Sequence, residues 1–348
     1  MASGSAKLGS HGTFSAPQGN LGEHFSELTV STMSKRTLRV ATRSSALALW
    51  QAEFIKAELE RLHDNVIVEL VKIKTQGDKI LDVPLAKIGG KGLFTRELEI
   101  ALMDGAIDLA VHSMKDVPTL GEPALEISAV LRRADVRDAF ISLTAKTLMD
   151  LPQGATVGTA SIRRQAQAAA VRPDLKFSLI RGNVGTRLSK LEAGECAATF
   201  LASAGLTRLG MKHVITDLIP TAQMLPAPAQ GAIGIEIQKA RTDVAARLAP
   251  LNHQNTLIAI TAERAFQRAL DGSCRTPIAA LAQISGKDLH FRGQVFSQKP
   301  KQSGTNVYGR ETNIALGDEP LKTAYATGAA LGAEILKEAG GAFVWDDI

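Results

Sequence analysis

Two successive stretches of this chain alternate strand-like and helix-like runs, which restricts the fold to an α/β class with mainly parallel strands. In the first, residues 37–41 alternate with Leu38 and Val40 on one side, and Ser44 and Ser45 can cap a helix. Leu47, Trp50, Phe54 and Leu62 then roughly follow helical spacing, and residues 66–73 are β-branched and strand-like. Thr95 can cap a further helix, with Glu97 and Glu99 in its first turns, where the helix dipole favours anions. Gly105 ends that helix and 107–111 reads as a short apolar strand. The second stretch, from about 137 to 225, reads strand 155–158, a helix opened by Ser161, strand 177–180, a helix over about 184–194 and strand 197–202. Pro226, Pro228 and Gly231 punctuate a crossover. From about Asn252 the text changes to a long helix through Ala262, Ala265, Phe266 and Leu270. Short alternating segments follow, broken by Gly286, Gly293, Gly304 and Gly309, and then a final helix over about 320–339. That order predicts a small α+β domain.

At 348 residues the chain exceeds what one core usually serves, so several domains are expected. With 45% apolar and 22% charged residues, neither a disordered chain nor a coiled-coil rod is consistent with the composition. No run of 18 apolar residues reads as a membrane span. Two cysteines, Cys196 and Cys274, make neither a disulfide framework nor a Cys-x-x-Cys site, and the seven histidines lack ligand spacing. No metal is expected, and a reducing compartment is. Residues 1–34 are rich in Gly and Ser, carry Pro17 and have no sustained periodicity or secretory apolar core. They read as a disordered leader or tag outside the fold.

The formal charge of +5 is too small to imply nucleic acid, and aromatic residues at 4% offer little for base stacking. Placement says more. Between Thr159 and Arg208 there are eight Lys or Arg and three Asp or Glu. Arg163 and Arg164 lie just inside a helix that follows a strand. Arg181 ends a strand and Arg187 lies one turn into the next helix. Arg43 and Lys115 each follow a strand. Open α/β sheets bind ligands beyond the carboxyl ends of their strands, where helix N-termini add free N–H groups. Cations gathered there, with the acids spent elsewhere, point to a polyanionic small molecule; an Arg-dominated set suits bidentate carboxylate or phosphate recognition. Two arginines at a helix start oppose the helix dipole, so something anionic should offset them.

Three further runs carry chemistry. Residues 111–118 (Val-His-Ser-Met-Lys-Asp-Val-Pro) leave a buried strand and place Asp116 where a carboxylate can stabilise a developing cation or move a proton. His112 reads as a packed, hydrogen-bonded residue. Residues 87–95 (Lys-Ile-Gly-Gly-Lys-Gly-Leu-Phe-Thr) form a Gly-rich loop that is not a Walker A sequence; Phe94 can stack there on a flat ligand. Cys274 sits in Asp-Gly-Ser-Cys-Arg-Thr-Pro (271–277), where Arg275 favours the thiolate; Cys196 leads into an apolar strand and reads as a small buried hydrophobe.

Taken in order, these runs resemble the porphobilinogen deaminase family, its bacterial form most closely. The resemblance spans about Leu38 to Leu336. It includes 41–52 (Ala-Thr-Arg-Ser-Ser-Ala-Leu-Ala-Leu-Trp-Gln-Ala), 89–95, 112–118, 157–164 (Val-Gly-Thr-Ala-Ser-Ile-Arg-Arg), 181–187 (Arg-Gly-Asn-Val-Gly-Thr-Arg), 230–232 and the Cys274 loop. It implies two α/β domains arranged like the halves of a periplasmic binding protein, 35–131 with 230–250 and 132–229, and a small α+β domain over 251–348. It also implies a dipyrromethane cofactor in thioether linkage to Cys274. The family condenses four porphobilinogens head to tail, releasing ammonia, to give 1-hydroxymethylbilane for haem biosynthesis. Each porphobilinogen carries an acetate and a propionate, so six linked pyrroles bring twelve carboxylates, which demands a cationic cleft. By resemblance, Asp116 is the catalytic carboxylate and Lys91, Phe94, Ser113, Lys115, Thr159, Ser161, Arg163, Arg164, Arg187 and Arg208 contact the cofactor. Arg43, Ser45, Lys87, Arg181 and Gln230 match substrate-binding positions. The resemblance further implies a cytoplasmic monomer with no nucleic-acid or membrane partner. Two departures replace glycine: the family often reads Gly-Gly-Cys and Val-Gly-Gln-Gly where this chain has Gly272-Ser273-Cys274 and Pro228-Ala229-Gln230-Gly231. A non-catalytic two-lobed anion-binding protein would share the architecture but have no use for Cys274 or Asp116.

Overall fold

Leu38, Val40 and Ala41 are fully buried in β1 (Arg36–Arg43), the strand from which the first sheet is built. The computed structural model describes residues 1, 35–79, 92–270, 276–297, 306–340 and 343, and the fold is that of the unit Lys35–Ile348. The expected leader, apart from Met1, lies outside the described residues. After β1 come α1 (Ala46–Leu62), β2 (Val66–Ile73), α2 (Gln76–Lys79), α3 (Arg96–Met103), β3 (Leu109–Ser113) and β4 (Leu125–Val130). Ser45 caps α1 by accepting a hydrogen bond from the N–H of Ala48, which satisfies one orphan donor of the first turn. Thr95 occupies the cap position of α3 without making that bond; its φ of −122° and ψ of −28° leave the extended region a capping side chain needs. Strand 107–111 is displaced to Leu109–Ser113, because pairing of Ser113 with Ile233 extends it.

The chain then crosses to a second sheet through 131–137. There it forms β5 (Asp138–Ser142), β6 (Thr156–Gly158), α4 (Ile162–Val171), β7 (Lys176–Ser178), α5 (Val184–Glu192), β8 (Ala198–Ala202), α6 (Ser203–Arg208) and β9 (Asp217–Leu218). It returns through 219–232 to β10 (Ile233–Gln238) and α7 (Thr242–Leu248). The orders are β2-β1-β3-β10-β4 and β7-β6-β8-β5-β9. The sheets are mixed rather than purely parallel: β10 is antiparallel to β3 and β4, and β5 to β8 and β9. Each reversed strand is the first one after a crossing. A chain arriving from the other sheet enters at the carboxyl edge and must run away from it, against the strands whose helices return them. This places the first residues of β5 and β10 beside the carboxyl ends of the other strands.

The remaining chain forms α8 (Gln254–Ala269), the antiparallel meander β11 (Ile278–Ser285), β12 (Asp288–Phe296) and β13 (Val307–Ala315), and α9 (Pro320–Glu338). This is the expected α+β unit. Phe266 of α8 meets Phe291 of β12 edge-on, with ring centroids 5.3 Å apart, at the centre of its core. Gly328 lets α9 approach α8 closely; a Cβ there would lie 2.0 Å from the Ala262 carbonyl oxygen. From α8, the fully buried Glu263 reaches both crossings: it accepts from Arg133 on the outward one and from the N–H of Ala229 on the return.

Candidate functional site

The carboxyl ends of β1, β3, β6 and β7 and the starts of β5 and β10 assemble one charged cleft. Arg43, the last residue of β1, donates to Asp78 at 2.5 Å and 3.3 Å, and its Nη1 lies 3.9 Å from Asp116 Oδ2. Its guanidinium lies 4.2 Å over the Phe94 ring centroid, so Phe94 stacks on a protein cation in this state. Burial raises the Asp78 carboxyl, but the Arg43 pair and bonds from Thr75 outweigh it and leave Asp78 below its ordinary range. Arg43, Ser45, Gln51, Phe94, Ser113 and Asp116 line a recess of about 60 Å³.

β3 ends at Ser113, whose hydroxyl accepts from Gln51 Nε2 at 2.9 Å, and a single 3-10 turn, Met114–Asp116, turns Lys115 and Asp116 out of the sheet. Arg264 of α8 holds this turn by donating to the carbonyls of Val117 at 2.9 Å and Pro118 at 2.7 Å. His112 is buried and lies 3.0 Å from Glu236, the packed role expected of it. Lys115 stays accessible to water within the cleft, yet protein surrounds it. Lost hydration, with Arg163 and Arg164 nearby, pushes its ammonium down to about 8 against the pull of Asp116 and Asp138.

Across the cleft, Ser161 caps α4 and its N–H donates to Thr159, so both hydroxyls are engaged in shaping the helix start. Arg163 and Arg164 are each only 5% exposed. The anion that offsets them is Asp138, the first residue of β5 and fully buried. Arg164 donates to its Oδ1 at 2.7 Å and 3.1 Å, and Arg163 Nη2 lies 2.7 Å from Oδ2. The acids are therefore not all spent elsewhere; Asp78 and Asp138 belong to the cleft. Sequence reasoning missed Asp138, whose available signal was a carboxylate heading the apolar run 138–141. Arg163 Nε and Asp138 Oδ2 are both buried without a hydrogen-bond partner, so this pair is held by charge rather than by a well-aligned hydrogen bond.

Gln230, 1% exposed on the return crossing, donates to Asp138 Oδ1 at 3.0 Å and to the Val136 carbonyl at 2.8 Å, while Lys115 Nζ lies 3.4 Å from its Oε1. Arg181 is buried after β7. Arg187 donates to the Gly182 carbonyl at 2.9 Å; burial, with Arg164 and Arg181 adding, pushes it down to about 10. Arg208 closes α6, donates to the Gly231 carbonyl at 2.8 Å and lies 5.9 Å from the Trp50 ring centroid, and burial pushes it down to about 10 as well. Depressed guanidinium groups are cations short of counter-charge, so they favour an incoming anion. Lys87, Lys91 and Cys274 lie outside the described residues. Among the described residues no cluster of His, Cys, Asp or Glu could hold a metal ion, and no helix is long and apolar enough to cross a membrane.

Two mixed α/β sheets that meet over a floor of guanidinium groups, with a carboxylate at the cleft, make a site suited to a polyanionic small molecule. A family model described as porphobilinogen deaminase, dipyromethane cofactor binding domain, matches residues 38–246, and one described as porphobilinogen deaminase, C-terminal domain, matches 257–337. The chain belongs to the porphobilinogen deaminase family. It is a transferase, a hydroxymethylbilane synthase of tetrapyrrole biosynthesis, and its cofactor is dipyrromethane.

Solved structures similar to this one include the periplasmic VFT2 domain of Bordetella pertussis BvgS, at 14% identity over 61% of this chain and 85% of that one, TM-score 0.38. A putative methionine-binding lipoprotein from Bacillus subtilis matches at 15% identity over 62% and 90%, TM-score 0.39. The periplasmic aliphatic sulphonate binding protein of Escherichia coli matches at 12% over 68% and 71%, TM-score 0.37.

Proposed function

We propose that Asp116 is the catalytic carboxylate and that the surrounding cations hold the acetate and propionate groups of porphobilinogen and of the growing chain. The observation that carries this reading is the convergence of Arg43, Lys115, Arg163, Arg164, Arg181, Arg187 and Arg208 on one cleft that Asp116 borders. As ammonia leaves porphobilinogen, positive charge spreads onto the pyrrole nitrogen, and an ionised Asp116 stabilises it. Arg43 Nη1 lies 3.9 Å from this carboxylate, and both line the same recess. The same carboxylate accepts the proton that restores aromaticity after each ring is joined. Arg187 and Arg208, short of counter-charge, suit carboxylates of the cofactor, which supplies the primer to which rings are joined.

Cys274 is the proposed thioether anchor. Cys196 is a poor candidate for that role: it is buried among Ile180, Leu188 and Leu201, and burial pushes its thiol up, away from the reactive thiolate. Lys87, Lys91, Phe94, Ser113, Thr159 and Ser161 complete the cofactor and substrate contacts, with Ser45 and Gln230. Residues 35–131 with 230–250, 132–229 and 251–348 act as three domains, a division supported by one sheet in each. The enzyme works in the reducing cytoplasm, a reading supported by two cysteines that form no disulfide framework, and its action as a monomer rests on the family resemblance.

The test is incubation of the purified chain with porphobilinogen, reading product by absorbance after oxidation to porphyrin. Turnover is expected, and loss of substrate saturation on replacing Arg187 by Met supports the carboxylate-holding role. Saturation unchanged in that variant counts against it.

A further inference from the structure

We infer that Asp138 is a positioning residue of the reaction: it fixes Arg163 and Arg164 in one geometry and, through Gln230, ties them to Lys115 and the return crossing. The inference rests on the reading that these cations hold pyrrole carboxylates. Asp138 is fully buried, heads β5 where the chain enters the second sheet, and touches no solvent through which it could meet substrate. Its oxygens divide the work. Oδ1 accepts Nε and Nη2 of Arg164 and Nε2 of Gln230, while Oδ2 faces Arg163 Nη2 at 2.7 Å. Each guanidinium is held a second time by a carbonyl, Arg163 by Leu225 at 2.6 Å and Arg164 by Phe200 at 2.8 Å. A planar guanidinium held from two sides has little rotational freedom, so its remaining donors point one way.

The arrangement also leaves two guanidinium groups and one carboxylate in one buried cluster, a net single positive charge facing the cleft. Without Asp138 the two cations would repel each other and turn toward the nearest substrate carboxylate. Binding would hold or tighten, and the ring would sit out of line with Asp116. Gln230 carries the effect onward, since the same amide that donates to Asp138 offers Oε1 to Lys115 at 3.4 Å. Lys115 is faced by Asp116 from its own turn, by Asp138 from β5, by Arg163 and Arg164 from α4 and by the neutral Gln230 from the crossing.

The experiment compares Asp138→Asn, Gln230→Met, Arg163→Met and Asp174→Asn with wild type. Asp174 pairs with Arg172 just beyond the C-terminal end of α4 and serves as a control for loss of an ion pair near that helix. Each is assayed for thermal midpoint, KM, kcat and the alkaline limb of kcat against pH. Asp138→Asn is expected to lower kcat at least tenfold with KM unchanged or lower. Its alkaline limb should move to lower pH by about half a unit, because Lys115 loses a neighbouring negative charge. Gln230→Met is expected to lower kcat without breaking the ion pairs, and it carries the test if Asp138→Asn does not fold. Asp174→Asn is expected to change only the thermal midpoint. A folded Asp138→Asn with kcat within twofold of wild type and an unmoved limb overturns the proposal, as does a neutral Gln230→Met where Asp138→Asn does not fold. If Arg163→Met is crippled in the same series, the positioning role alone fails; if Arg163→Met is also neutral, the reading of the cleft fails with it.

Discussion

Replacing Glu263 by Ala should uncouple the two crossings from α8. The Glu263 carboxylate is fully buried and accepts four hydrogen bonds: Arg133 Nη1 at 2.6 Å and Nη2 at 2.9 Å, the N–H of Ala229 at 2.6 Å, and the N–H of Ala282 at 2.7 Å. Arg133 belongs to the outward crossing, Ala229 to the return and Ala282 to β11, so one side chain joins three segments distant in sequence. Alanine strands the Arg133 guanidinium, whose side chain is 11% exposed, and orphans two N–H groups. Removing one partner of a buried pair costs about 3–5 kcal/mol, and water entering the vacated space recovers part of the cost of the orphaned donors. A loss of about 4 kcal/mol follows, which in a chain of this size lowers the thermal midpoint by about 6 °C. Glu263→Gln keeps the shape and one acceptor and should lose about half as much. Circular dichroism melts and urea midpoints of the three proteins measure this. A Glu263→Ala midpoint within about 1 °C of wild type would refute the reasoning, since that corresponds to less than 1 kcal/mol.

Three other outcomes follow from particular residues. Ala229 has φ of +60°, the only positive value among described non-glycine residues. Ala229→Gly should therefore raise stability by up to about 1 kcal/mol in urea titration, relief of left-handed strain exceeding the entropy lost. Intact-protein mass should exceed the sequence mass by two linked pyrroles, and Cys274→Ser should lack that increment. Burial alone would raise the Asp138 carboxyl, but Arg163 and Arg164 overturn this and hold it well below its ordinary range. The stability it contributes is present above the unfolded value of about 3.9 and is lost as pH falls toward the folded one. Unfolding free energy measured from pH 5 to 2 should therefore fall less steeply in Asp138→Asn than in wild type.

Local chemistry explains which parts were legible in the sequence. Ser45 and Ser161 cap α1 and α4 as read, because a cap needs only a hydroxyl and the N–H three residues on. The cations at strand ends were placed correctly for the same reason: strand–turn–helix order fixes them. Their acidic partners were not, since pairing across the fold leaves no local mark. Asp138 lies 26 residues from Arg164, Asp78 lies 35 from Arg43, and Glu263 lies 130 from Arg133. The reversed strands β5 and β10 follow from the crossings, which the sequence announced only as Pro226, Pro228 and Gly231. The anion expected to offset Arg163 and Arg164 includes the chain's own Asp138, legible only once Asp138 is seen to head an apolar strand.

The measurement that bears most directly on the account is the comparison of wild type with Asp116→Asn in porphobilinogen consumption and ammonia release. The Asp116 side chain is 34% exposed, so the amide should leave the melting curve unchanged. The account predicts a folded variant that binds porphobilinogen and releases ammonia at least a hundredfold more slowly, a loss of about 3 kcal/mol of transition-state stabilisation. Release within a few fold of wild type by folded Asp116→Asn would contradict it.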